Sequence, residues 1–126
     1  MTNQLEIRVR YTECDPMGVA HHTVYPVWFE MGRTELLRGD GISYRDLETQ
    51  GSLIAVVKLN IQYKRPARYD DLLALETSIT DRGRATIDHE YQLSRDGVLI
   101  TTASTTVVCV DRDGRPQPLP DVLSGP

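Results

Sequence analysis

Residues 24–38 restrict the possible folds of this chain more than any other stretch. They follow a helical period, and Val24, Tyr25, Val27, Trp28, Phe29, Met31, Gly32 and Leu36 spread over a wide arc. That arc covers ~200°, against the ~100° stripe of a helix resting on a surface. Glu30, Arg33, Thr34 and Arg38 share the other side, with Glu35 and Leu37 as misfits. A helix apolar over so much of its girth is expected to be mostly surrounded by protein. Gly39-Asp40-Gly41 stops it.

What surrounds the helix must come from strands. Before it, Leu5, Ile7, Val9 and Tyr11 alternate with Glu6, Arg8 and Arg10, which predicts a half-buried strand over residues 5–11. The strand runs into TECDPMG, where Pro16 and Gly18 forbid regular pairing, and Thr23 reads as the helix N-cap. After the helix, Ser43 opens a short helical turn closed by Gly51. Strands are then predicted over residues 53–63, 72–80, 85–94 and 98–111. In the third of these four, Thr86, Asp88, Glu90 and Gln92 form a wet face, and Arg95-Asp96-Gly97 makes a hairpin turn. One helix and a run of antiparallel strands is an α+β pattern: a five-stranded sheet curled around the helix. Its edge strands stay open, so a second copy pairing edge to edge is expected.

At 126 residues the chain suits one domain, with an ordered core expected over about residues 5–120. Lys and Arg number 14 against 18 Asp and Glu, a net charge of −4 that argues against a nucleic-acid binder. Cys14 and Cys109 form neither a disulfide framework nor a metal-type spacing. The opening MTNQLEIRVRY alternates like a strand and lacks the apolar core of a signal peptide. No apolar run approaches the ~18 residues of a membrane span. A cytoplasmic protein without a membrane span is expected.

The chemistry concentrates in YTECDPMGVAHHTVYPVWFEMGR, residues 11–33. Here a carboxylate (Asp15), a glycine turn (Gly18) and an imidazole (His22) stand just ahead of a helix N-terminus. Acyl transfer needs a base or nucleophile at the carbonyl carbon and donors for the oxygen that becomes negative. Free N–H groups at the start of a helix are such donors, and the helix dipole adds to them. Cys14 next to His21 or His22 is a weaker nucleophile candidate, because the neighbouring Asp15 opposes the thiolate. His21, His22 and Asp15 do not suggest a metal geometry. His89, on the apolar side of its strand, reads as a satisfied core histidine. Glu35 reads as part of an exposed last helical turn.

Tyr11, Asp15, Gly18, His22, Tyr25, Phe29, Glu30 and Arg33, in that order, resemble the signature of the 4-hydroxybenzoyl-CoA thioesterase family of hot-dog enzymes. The branch most similar is the short-chain acyl-CoA thioesterases associated with the Tol–Pal envelope system. YKRPARYDD, residues 63–71, resembles the family's strand, Pro-Ala and Asp turn. The resemblance implies the hot-dog fold and hydrolysis of an acyl-CoA thioester. Asp15 would be the catalytic carboxylate, His22 the assisting histidine and Tyr11 the tyrosine beside them. Gly18, Val19, Thr23 and Tyr25 are the candidate substrate contacts. Lys58, Lys64, Arg65, Arg68, Arg82 and Arg84 are candidates for the CoA phosphates. No metal or cofactor is implied, since CoA belongs to the substrate, and a homodimer or a tetramer built from dimers is expected. The chain departs from the family at Glu13-Cys14-Asp15, where Asp-Thr-Asp is common, and at Val24-Tyr25, where the branch commonly has Asn-Tyr. No role falls to Glu13. The alternatives are a non-catalytic acyl-CoA-binding domain and an enoyl-CoA hydratase. Asp15 speaks against the first, and the missing Asn-Pro stretch against the second.

Overall fold

Each alternating stretch of the sequence forms a strand in the computed structural model, which describes residues 1–125. The elements are β1 (Thr2–Arg8), α1 (Tyr25–Gly39), α2 (Tyr44–Thr49), β2 (Leu53–Tyr63), β3 (Leu72–Arg82), β4 (Thr86–Arg95) and β5 (Val98–Val110). Short 3₁₀ turns cover Tyr11–Glu13 and Asp121–Leu123. The five strands form one antiparallel sheet in the order β1-β3-β4-β5-β2. With α1 lying against it, this is the α+β hot-dog arrangement.

Local chemistry explains the joints. The β4–β5 hairpin turns on Asp96 and Gly97, whose φ values of 51° and 79° suit a two-residue turn of the mirror-image type. Ser43 caps α2 by accepting the Asp46 N–H. Two expectations are corrected. β1 ends at Arg8, because the chain tightens into the Tyr11–Glu13 turn and takes Tyr11 out of the strand. Thr23 does not cap α1: its hydroxyl turns back to His21 Nδ1 at 2.7 Å, and Val24 occupies the cap position with no side-chain bond.

α1 packs through Tyr25, Trp28 and Phe29 onto Leu73, Leu75, Tyr91 and Leu93 of the sheet, all buried, and Leu36 is buried further along the helix. Gly32 permits the close approach to β3, since a Cβ there would run into Thr77 Oγ1 and stand 2.9 Å from Leu75 Cδ2. A second apolar cluster, including Leu37, Leu47, Ile87, Val107 and Leu123, closes the far end. The helix is not enclosed all round by its own chain. Val27 is 52 % exposed and Met31 42 %, and the inward row of β2 is open at Val56 (48 %) and Leu59 (44 %). The sheet stops at β2, so nothing among the described residues covers that strip.

His89 is buried as expected, but it is not satisfied. Its Nδ1 has no hydrogen-bond partner among the described residues. No helix of the described residues is long and apolar enough to cross a membrane.

Candidate active site

The loop between β1 and α1 is rigid because of its own carboxylates. Glu13, almost fully buried, accepts the backbone N–H of Arg10 at 2.7 Å and the indole N–H of Trp28 at 3.0 Å, with the Arg10 guanidinium at 3.3 Å. Burial works to raise its pKa, but the Arg10 N–H, the Arg10 side chain and the Trp28 donor outweigh it. The carboxyl is held below its ordinary range. Glu13 therefore ties the loop to the buried face of α1. The sequence pattern alone assigns it no role; the signal it carries is the three-residue spacing from Arg10, where a carboxylate reaches back to the first N–H of a turn.

Asp15 stands at the next bend. Its Oδ1 accepts the N–H of Met17 at 2.9 Å and of Val19 at 3.4 Å, and its own N–H donates to the Val19 carbonyl at 2.8 Å. Oδ2 has no partner among the described residues. Gly18, at φ +80°, supplies the left-handed residue this turn needs. The loop is pinned at both ends by bridges from Cys14 to Ala20 and from Val19 to Arg68.

Asp15, Val19, His22 and Tyr25 line one cleft with Tyr63 and Lys64, Arg65 and Pro66 on its other wall; its volume is about 320 Å³. The Tyr63 hydroxyl donates to the His22 carbonyl at 2.7 Å, fixing the loop that leads into α1. The Tyr63 ring meets Tyr25 edge-on at 4.9 Å. Tyr63 is not among the site residues expected from the sequence. Its place on the inward row of β2, two residues beyond Ile61, is the signal that points to it. Arg95 braces the opposite wall, donating to the Pro66 carbonyl at 3.0 Å and pairing with Asp71 at 2.7 Å. The N–H groups of His22 and Tyr25 take part in none of the hydrogen bonds among the described residues, and Pro26 has no N–H to offer. The approach to α1 thus carries unpaired N–H groups at His22 and Tyr25, two of the residues that line the cleft with Asp15.

The remaining candidates divide. His21 stacks on His22 with centroids 4.4 Å apart. Tyr11 lies outside the cleft, 78 % exposed, with its ring edge-on to Tyr69 at 5.5 Å. Thr23 is exposed and faces His21. Arg65 is tethered to the Leu99 carbonyl at 3.0 Å on the rim, and Arg68 lies exposed nearby. Lys58 stands exposed on β2. Arg82 donates to the Leu123 carbonyl at 3.0 Å at the other end of β3, and Arg84 follows it. A strand of that length places both about 30 Å from the loop, so this chain alone does not bring them to the cleft. The Cys14 thiol is pushed up by burial and by the charges of Asp15, Glu13 and Asp71, which leaves it a poor nucleophile. Glu35 pairs with Arg38 at 3.2 Å, away from the cleft. The described residues hold no group of three metal-type ligands. A separate cavity of about 420 Å³, lined by residues from Thr34 to Arg45, is bordered by neither carboxylate nor imidazole.

The profile of the thioesterase-like superfamily matches residues 9–125. Over 106 residues the chain is 39 % identical to the acyl-CoA thioesterase YbgC of Haemophilus influenzae, covering 83 % of this chain and 78 % of that one. Among solved structures, the DHNA-CoA thioesterase of Staphylococcus aureus superposes with a TM-score of 0.91 at 34 % identity, covering 94 % of this chain and 80 % of that one. The 4-hydroxybenzoyl CoA thioesterase of Pseudomonas sp. strain CBS-3 shares the fold, with a TM-score of 0.87 at 23 % identity and 94 % of each chain covered.

Proposed function

The chain belongs to the thioesterase-like superfamily, and from that we propose that it hydrolyses acyl-CoA thioesters to a carboxylic acid and CoA, with Asp15 as the catalytic carboxylate. The observation that carries this reading is the single cleft shared by Asp15, His22 and the start of α1. Asp15 Oδ1 is occupied by two loop N–H groups, so the carboxylate has a fixed aim and one free oxygen. That oxygen takes a proton from water as the water oxygen adds to the thioester carbon. The carbonyl oxygen becomes negative and is held by the free N–H groups around His22 and Tyr25. Collapse expels CoA as thiolate, which takes up the proton. In the alternative order, Asp15 itself attacks, expels CoA and forms a mixed anhydride that water then cleaves. In both, His22 orients the carbonyl or the water.

The rest of the site follows the same reading. Gly18 and Val19 shape the floor beneath the substrate, and Tyr25 closes its inner end. Lys64 and Arg65 on the rim are the nearest partners for CoA phosphates, with Arg68 behind them. Lys58, Arg82 and Arg84 would act only from another subunit. Tyr11 acts there too, or at the cleft mouth. CoA enters as substrate, so no cofactor is required. The enzyme works as a dimer or as a tetramer built from two dimers: β2 is an 11-residue edge strand, paired only with β5 among the described residues, beside the open strip of Val27, Met31, Val56 and Leu59. The test is release of free thiol from a panel of acyl-CoAs. Catalysed release from at least one is expected, and binding without release from all of them would contradict the reading.

A further inference from the structure

Residues 63–71 stand out in the sequence, yet the proposed mechanism takes only their basic side chains. In the fold this stretch lies against the loop that carries Asp15. The fully buried Ala67 accepts the Ala20 N–H at 2.7 Å, and Arg68 pairs with Val19 in an isolated antiparallel bridge. Val19 is also the partner of Asp15 itself. Its carbonyl takes the Asp15 N–H at 2.8 Å, and its own N–H reaches Oδ1 at 3.4 Å. The aim of the Asp15 carboxylate therefore depends on where Arg68 holds Val19.

Arg68 is in turn held by Asp71. Asp71 Oδ2 accepts the Arg68 N–H at 2.8 Å, and the Asp71 N–H donates to the Arg68 carbonyl at 3.1 Å. Asp70, at φ 70°, makes the left-handed bend that brings the two together, a conformation Asp tolerates better than most residues. The same Asp71 oxygen accepts Arg95 Nη1 at 2.7 Å, and that nitrogen also reaches the Pro66 carbonyl at 3.0 Å. The two side chains are only 29 % and 22 % exposed, so water competes weakly for the pair. Burial opposes the Asp71 charge, but the Arg68 N–H and Arg95 outweigh it and hold the carboxyl below its ordinary range, which keeps the pair intact at neutral pH. A line of direct contacts thus runs from the end of β4 through Arg95, Asp71, Arg68 and Val19 to Asp15.

We propose that Asp71 and Arg95 are positioning residues for the reaction: their ion pair fixes the turn that holds Val19, and through Val19 the direction in which Asp15 presents its free oxygen. Neither residue touches the substrate. The proposal rests on the thioesterase reading with Asp15 as the catalytic carboxylate. A reacting group displaced by ~1 Å can lose about 10²-fold in rate.

The experiment measures kcat and KM for the best acyl-CoA in Asp71→Asn, Arg95→Gln and Arg95→Lys, with the first two repeated in the Asp15→Asn background. Asp71→Asn and Arg95→Gln should each lower kcat by about 10–100-fold while KM stays within a few-fold. Arg95→Lys, which keeps a cation beside Asp71, should recover part of the loss. In the Asp15→Asn background the same changes should alter the residual rate by no more than about twofold, because no carboxylate is left to aim. Independently of turnover, amide hydrogen exchange at Asp15, Val19 and Ala20 should quicken in both variants, with amides at the centre of the sheet unchanged. Should Asp71→Asn not fold, the Arg95 variants carry the same comparison. A kcat that does not fall in the folded variants overturns the proposal. Equal fold-losses with and without the Asp15 carboxylate also overturn it, since the pair would then support only the fold. If the wild type hydrolyses no acyl-CoA, or Asp15→Asn keeps its activity, it is the thioesterase reading or the role of Asp15 that fails. The exchange at the three loop amides then decides by itself whether the pair holds the loop: quickening supports the positioning role, and unchanged exchange overturns it.

Discussion

Lowering the pH from 7.5 to 4.5 should destabilise this protein through one buried imidazole. His89 is 5 % exposed, and its pKa is pushed down from 6.5 to about 4. Burial is the main cause; the charges of Arg33 on α1 and Arg82 on β3 add to it, and Asp88 opposes it. In the unfolded chain the ring takes its proton near 6.5; in the native protein it resists until about 4. The stability associated with the neutral ring is therefore complete above 6.5, declines as the pH falls, and is fully lost at about 4. The difference corresponds to about 3 kcal/mol, because each tenfold change in proton affinity between the folded and unfolded chain is worth about 1.4 kcal/mol. Glu13 and Asp71 do not confound this window. Burial opposes their ionisation, but Arg10 and Trp28 around Glu13, and the Arg68 N–H with Arg95 around Asp71, hold both below their ordinary values of 4.5 and 3.8. Their stabilisation disappears only as the pH falls below those values. Urea unfolding at half-unit steps should give a wild-type slope approaching about 1.4 kcal/mol per pH unit below pH 6. In His89→Leu, whose side chain suits the apolar surroundings, that slope should vanish above pH 4.5. Equal slopes in the two proteins would refute this role for His89.

Three further outcomes follow from the packing. Gly32→Ala forces a methyl group into Thr77 Oγ1 and Leu75 Cδ2, and should lose roughly 1–3 kcal/mol in denaturant unfolding; an unchanged midpoint would mean that α1 and β3 do not approach so closely. Glu13→Gln sets an amide against donors that now meet a carboxylate. It should cost about 1.5–3 kcal/mol in the same assay, although the sequence pattern gives Glu13 no role. Light scattering at micromolar concentration should report a dimer or a tetramer, and a monomer would contradict the role given to β2.

Most of the fold is legible in the sequence because its strands alternate cleanly and its helix does not. The predicted strand over residues 53–63 coincides with β2, and the predicted β3, β4 and β5 differ from the observed strands by no more than two residues at either end. The loop before α1 is harder. Tyr11 continues the alternation of Leu5, Ile7 and Val9, and only the backbone turn closed by Glu13 removes it from the strand. Thr23 has the right side chain for a cap, but His21 competes for its hydroxyl. The apolar girth of α1 does mark surface to be buried, yet this chain leaves the Val27 side of it uncovered. The sequence reading gives no role to Tyr63, Glu13 or Arg95 because spacing and strand register mark their positions but not their partners, the His22 carbonyl, the Trp28 indole and the Pro66 carbonyl, each distant in sequence.

The role of Asp15 is tested most directly by the rate of free-thiol release from the best acyl-CoA substrate in Asp15→Asn, measured alongside substrate binding. Asn keeps the oxygen that accepts the Met17 and Val19 N–H groups, so the loop and the cleft should persist. Binding should stay within a few-fold of wild type while the rate falls by about 10²–10⁴, with His22→Ala less affected and Cys14→Ala nearly normal. An Asp15→Asn enzyme that keeps most of its activity while Cys14→Ala is inactive would contradict the assignment of Asp15 as the catalytic carboxylate.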